Sequence, residues 1–277
     1  MADRNMVEIL VTGDEILNGD VADTNSTYLI RGVTNLGGYV TRVVTVRDDI
    51  ETIETELNRS IANHPKVIIT VGGLGPTPDD LTLKSIAYTL KRDMEINEKA
   101  LEFIKDRYEK LAKNKILEDG TLTAPRIKMA TLPKGSIALE NPVGSAPPVL
   151  TRVNDIIIIS LPGVPAELKS IFEKVLKPIL VHEFGDRIFF EKVLVLSSRD
   201  ESKISSVLKE ISDNYKDLYF KSRSQIFGSD NKLTITVAMR GDTMEEIDKK
   251  IKSVVEDLTA KLLKVGVNIE NSELHLS

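Results

Sequence analysis

Four short apolar runs punctuate the first part of the chain: Val7–Thr12, Tyr39–Val46, Lys66–Val71 and Asp155–Leu161. Between them, apolar residues recur at helical spacing. Ile50, Ile53, Leu57 and Ile61 share one helix face, as do Leu101, Ile104, Tyr108 and Leu111. Further helices are predicted over Thr24–Leu36, stopped by Gly37-Gly38, over Pro78–Arg92, and through Leu168, Ile171, Phe172, Val175 and Leu176. Residues 121–148 are rich in Pro and Gly and read as irregular, with a short helix and a short strand or two. Strands alternating with helices predict an α/β fold, a mainly parallel sheet with helices on both faces. The third and fourth runs are nearly all apolar, as strands covered on both faces are.

Beyond Pro178 the pattern changes. Strands are predicted over Arg187–Leu196, Leu218–Gln225 and around Leu233–Met239, where apolar and small polar residues alternate as in a half-exposed antiparallel strand. Helices are predicted over Glu201–Ile211 and Thr243–Leu263. This is a small α+β unit of β-α-β-β-α type. The predicted domains are residues 1–182 and 183–277, divided between Leu180 and Asp186.

Composition narrows the chemistry. The chain has 277 residues, a formal net charge of −5 and no cysteine. Disulfides, thiolate metal sites and cysteine nucleophiles are excluded. His64, His182 and His275 have no metal-ligand spacing. The acidic balance offers no general attraction to nucleic acid or anionic membrane. No apolar run approaches a membrane span, and the N-terminus lacks the pattern of a signal peptide, so a cytoplasmic location is expected.

In an open parallel sheet, ligands bind beyond the carboxyl ends of the strands. Three such ends carry unusual sequence: TGDEILNGD, GGLGPTPDD and PGVPAEL. Gly72, Gly73 and Gly75 permit a tight turn and close backbone approach to a phosphate. The spacing matches neither a Walker A loop nor a GxGxxG fingerprint. Thr77 reads as an N-cap, Pro78 as a first helical residue and Asp80 as the third position of a capping box. Asp14 and Glu15 follow another strand of the same sheet. If the two turns are neighbours, up to four carboxylates surround one crevice, and a hard divalent cation would relieve their repulsion while bridging to phosphate oxygens. The alternative stays open that the acids belong to an ordinary polar turn and to a helix start.

GDEILNG, Asp23-Thr24-Asn25, GGLGPTPDDLT, ENPVGSAP and LPGVPAEL occur in this order. Together they resemble the MoaB/MogA-type molybdopterin-binding-like domain in the branch of the competence-damage-inducible protein CinA, over roughly residues 5–180. The second domain resembles the KH-type domain that follows it there; the C-terminal nicotinamide mononucleotide deamidase domain of longer members has no counterpart in these 277 residues. The resemblance implies a metal-dependent ADP-ribose pyrophosphatase yielding AMP and ribose 5-phosphate, with Mg, Mn, Co or Ni as the metal. It implies Asp14, Glu15, Asp79 and Asp80 as metal ligands, with Asp14, Glu15 and Asp80 also acid–base candidates. Asn25 would aid polar recognition, while Gly72, Gly73, Gly75 and Thr77 would hold phosphate. Ser145 and the turn Pro162-Gly163-Val164-Pro165 would complete the pocket, with Glu167, equally a helix-dipole acid, beside them. One departure stands out: where the family commonly has glycine after Ala-Pro, this chain has Pro148, which has no N–H to offer a ligand.

Three functions compete. The first is hydrolysis of ADP-ribose or a related nucleoside diphosphate sugar. The second is a molybdopterin-binding or adenylyltransferase-type role in molybdenum cofactor biosynthesis. The third is a non-catalytic nucleotide-binding module. RNA binding through the second domain is disfavoured, because none of Gly228, Gly241 and Gly266 begins a GXXG loop. The expected partners are a small-molecule nucleotide and a second copy of the chain in a homodimer.

Overall fold

The computed structural model describes residues 5–185, 188–227 and 230–276. The start of the predicted strand at Arg187, the domain limit at Asp186 and Gly228 lie outside the described residues. The chain divides into two compact units, one of residues 1–34 and 38–183, the other of residues 35–37 and 184–277.

The first unit is built on a six-stranded sheet of order β2-β1-β3-β8-β7-β6. Strands β1 (Met6–Thr12), β2 (Tyr39–Val46), β3 (Val67–Val71) and β8 (Ile156–Leu161) run parallel. The central strands β3 and β8 are buried along their whole length, as their unbroken apolar sequence requires. β7 (Val149–Val153) and β6 (Ile137–Ala138) extend the sheet antiparallel. β7 differs from expectation: the chain turns back through Asn154, at φ 50°, into β8. That two-residue turn pairs Val153 with Ile156. Nearby, β4 (Met94–Ile96) and β5 (Thr131–Pro133) form a separate two-stranded ribbon.

Helices α2 (Thr24–Asn35), α3 (Ile50–Ala62), α4 (Thr82–Thr89) and α5 (Glu98–Lys113) connect the strands, with the short α1 (Asp14–Leu17) and α6 (Ala124–Lys128) between. After β8 come α7 (Pro165–Ile171), a π-helical turn at Phe172–Leu176 and α8 (Lys177–Phe184). Asp49 caps α3 by accepting from Thr52 N–H at 2.9 Å, and Asn97 caps α5 from Ala100 N–H at 3.0 Å. Ile53, Leu57, Ile68, Ile86, Ile104 and Ile158 meet in one core. Gly32, in mid-helix, lets Phe172 pack against α2: a Cβ there would meet the ring at 2.5 Å.

One predicted helix is displaced. The Pro78 start is replaced by Thr82, with Leu81 as N-cap and no side-chain cap. Thr82 sets this boundary because its hydroxyl donates to Gly72 O at 2.9 Å. Upstream, Asp80 N–H closes a turn on Thr77 O at 3.2 Å.

The second unit is α+β: β9 (Ile188–Leu196), α9 (Ser205–Asn214), β10 (Tyr219–Phe227), β11 (Asp230–Gly241), α10 (Met244–Lys264) and β12 (Ile269–Leu276). Its antiparallel sheet has the order β10-β11-β9-β12. This is a split βαβ arrangement, with β12 added to the expected five elements. β12 lies at the sheet edge, pairs with β9 alone and carries a register shift between Ile269 and Asn271, so its sequence lacks the alternation that announces a strand. The KH label implied by the resemblance finds no separate support in this topology. Ile247, Ile251, Val254, Leu258 and Leu262 of α10 pack with Leu194, Ile235 and Val237 to form its core.

Candidate functional site

The carboxyl ends of β1, β2, β3 and β8 open onto a crevice of about 740 Å³ within the first unit. Three backbone bonds fix the strand ends that frame it. Gly13 N–H donates to Val46 O at 3.2 Å, Gly72 N–H to Leu161 O at 2.9 Å and Thr82 N–H to Gly73 O at 3.3 Å. Buried Thr12 and Thr82 share a hydroxyl hydrogen bond of 3.1 Å beneath the turn.

The glycines act through shape. Gly72 and Gly73 have φ of 98° and 65°. A Cβ on Gly72 would strike Thr12 O, and one on Gly73 the Thr82 hydroxyl. Gly72 gives its N–H to Leu161, so it bends the chain rather than offering that donor to a ligand. Gly163 lies against it, its would-be Cβ 3.6 Å from the Gly72 Cα.

The structure brings most of the predicted residues to this crevice. Glu15, Asn25, Gly72, Gly73, Gly75, Asp79, Asp80, Ser145, Pro162, Gly163, Pro165 and Glu167 line it. Asp14 and Thr77 do not. Thr77 donates both its N–H, at 2.8 Å, and its hydroxyl, at 2.6 Å, to Asp80 Oδ2. Of the capping-box pair expected at a helix start, the bond from Thr77 N–H to the Asp80 carboxylate forms in the turn ahead of α4, while the Asp80 N–H goes to Thr77 O in place of the hydroxyl. Asp14 forms a 3.4 Å ion pair with Arg47, accepts from Asp48 N–H at 3.3 Å and donates its own N–H to Asp48 Oδ2 at 3.1 Å.

Asp48 is a site residue the motifs did not single out. Burial pushes its carboxyl up, and the charges of Asp14, Glu15 and Asp79 add to the rise, against a backbone hydrogen bond from Asp14 that lowers it. The same causes place three acids within electrostatic reach of Asp48. Hydrogen-bond donors of the Thr77 turn hold Asp79 below its ordinary value, with Lys128 adding a smaller pull. Lys128 also went unread. Its Nζ donates to Gly75 O at 3.0 Å and Asp80 O at 2.9 Å, tying the far side of the turn to α6. Burial lowers the Lys128 pKa, while Asp80 and Asp79 oppose the shift.

The expected metal ligands do not form a ligand shell as they stand. Among the described residues, no three acidic or histidine side chains group to hold a metal ion. Asp80 is turned to Thr77 and Asp14 to Arg47.

Another stretch of the lining, Val143 to Ala146, belongs to the segment 141–146. Asn141 organises it, accepting from Val143 N–H at 3.1 Å and Gly144 N–H at 2.7 Å. Its Nδ2 donates to Ala146 O and to Glu167 Oε2, both at 2.8 Å. Glu167 rests on Gly144, where any Cβ would collide with its carboxylate. Asn25, 8% exposed, also lines the crevice. Its Nδ2 donates to Gly163 O at 2.7 Å, which leaves Oδ1 as a buried acceptor with no partner among the described residues. Asp23 positions it by capping α2 through Ser26 N–H at 2.9 Å. No helix among the described residues is long and apolar enough to cross a membrane.

Residues 8–182 match the family described as "Probable molybdopterin binding domain". A protein of Pyrococcus horikoshii is 38% identical over 76% of this chain and 81% of its own length. A protein of Sulfurisphaera tokodaii is 35% identical over 96% of this chain and 98% of its own length. The crystal structure of a CinA protein of unknown function from Thermoplasma acidophilum is similar at a TM-score of 0.57 and 32% identity, covering 64% of this chain and 99% of that one.

Proposed function

The chain belongs to the family of probable molybdopterin-binding domains, and from that premise we propose that its crevice binds a phosphorylated pterin of the molybdopterin class. One observation supports the reading: Asn25, which lines the same crevice as the Gly72–Gly75 turn, holds a buried acceptor that no described residue partners. A pterin ring is rich in N–H donors and would satisfy Oδ1, while its phosphate would approach the glycine turn. The mismatch gives specificity, since a buried polar group left unpaired penalises ligands that cannot complete it.

A second reading, hydrolysis of the phosphoanhydride of ADP-ribose, is favoured by Asp48. A carboxyl raised by burial and by neighbouring acids is a better proton acceptor at neutral pH than an ordinary one. The resemblance adds a divalent metal to this reading, although the carboxylates as placed do not form its ligand shell.

One experiment separates the two. The purified protein is incubated with a synthetic pterin phosphomonoester or with ADP-ribose, each with added divalent metal or with EDTA, and the products are identified by mass. A retained, unaltered phosphopterin with ADP-ribose left intact supports the first reading. Release of AMP and ribose 5-phosphate supports the second. Neither retention nor turnover contradicts both.

A further inference from the structure

The crevice has a charge problem. Its lining includes Glu15, Asp23, Asp48, Asp79, Asp80 and Glu167, and among the described residues one basic side chain, Arg107 of α5. A phosphorylated ligand entering such a lining meets repulsion from most sides. Resting on the proposed function, we infer that Arg107 is the ligand-binding residue that recognises the phosphate, gripping it from beside Val143.

The geometry supports this. The guanidinium donates from one terminal nitrogen to Val143 O, which fixes its plane against the segment 141–146. Its Nε is buried and has no hydrogen-bond partner among the described residues. That donor is unsatisfied in the free protein, and a ligand acceptor that draws the half-buried guanidinium toward the crevice would satisfy it. Arginine suits the task, because its rigid fork of five donors can hold Val143 O and still offer N–H groups to a phosphate. Its permanent charge also offsets the surrounding carboxylates without depending on a proton.

A purely structural role would differ in consequence. If Arg107 served only to anchor Val143, its loss would loosen one wall and weaken every ligand alike. As a phosphate ligand, it affects charged ligands selectively.

The test is calorimetric titration of wild type, Arg107→Met and Arg107→Lys with a pterin phosphomonoester and with the same pterin lacking phosphate. Thermal unfolding of each variant controls for folding. Loss of one hydrogen bond to a charged group corresponds to about a 10- to 100-fold weaker Kd. That loss is expected for the phosphopterin on Arg107→Met, with the neutral pterin changed less than about threefold and Arg107→Lys recovering part of the affinity. Equal weakening of both ligands, or an unchanged phosphopterin affinity, would overturn the inference while leaving the binding reading intact. Failure of the wild type to bind either pterin would overturn the reading and the inference with it. If Arg107→Met does not fold, the Arg107→Lys comparison decides: an unchanged ratio of the two affinities overturns the inference.

Discussion

Asp48 shows how one side chain couples folding to the site. Its folded pKa lies above the ordinary carboxylate value, so its neutral form is favoured. The stability contributed by protonating it is fully present below the unfolded pKa and is lost as pH rises through the folded pKa. At neutral pH the ionised carboxylate is therefore a net burden, held against Asp14, Glu15 and Asp79. Asp48→Asn keeps an acceptor for Asp14 N–H and removes the charge. Its thermal midpoint is expected above that of the wild type at pH 7, converging with it near pH 3; a midpoint below wild type at pH 7 would contradict the assignment. Asp48 was hidden in the sequence because it precedes Asp49, and an Arg-Asp-Asp stretch before an amphipathic helix reads as capping. Asp49 does cap α3; its neighbour does something else. Arg107 was hidden for a similar reason: helical periodicity gives Tyr108 to the core face and leaves Arg107 as surface. Gly72 and Gly73 were legible, because few other residues accept their backbone conformation.

At the scale of elements, the strand ends and the turn between β3 and α4 make the site. The apolar runs located the parallel strands, and the three anomalous strand ends marked the crevice. The helix after the turn was misplaced because Thr77 and Asp80 bond to each other within a turn that no helix continues. What starts α4 is the contact from Thr82 to Gly72, which no spacing rule encodes. This makes the turn sensitive to a single methyl group. Gly72→Ala would place a Cβ against Thr12 O at a φ of 98°. The expected cost is about 1–3 kcal/mol for the backbone conformation, with the collision added to it. Chemical denaturation of the variant should show a lower midpoint, together with weaker phosphopterin binding. An unchanged midpoint would mean that the turn relaxes freely, contrary to its bonding.

At the scale of the whole molecule, every residue lining the crevice belongs to the first unit. A chain cut after Gly185 is expected to unfold cooperatively and to bind the phosphopterin with the Kd of the full chain, as checked by thermal unfolding and titration. The second unit was legible as α+β from its alternating strand and long helix, whereas β12 was not, since an edge strand paired on one side needs little apolar alternation. The expected homodimer is checked by sedimentation of the full chain. The central claim is that buried Asn25 and the glycine turn together select a phosphorylated pterin. It is tested most directly by titrating wild type and Asn25→Leu with the phosphopterin and with the unphosphorylated pterin. The account predicts that wild type binds the phosphopterin at least about tenfold more tightly than the neutral pterin, and that Asn25→Leu weakens both by about tenfold, the effect of one buried hydrogen bond. Equal affinity of wild type for the two pterins, or unaltered binding by Asn25→Leu, would contradict it.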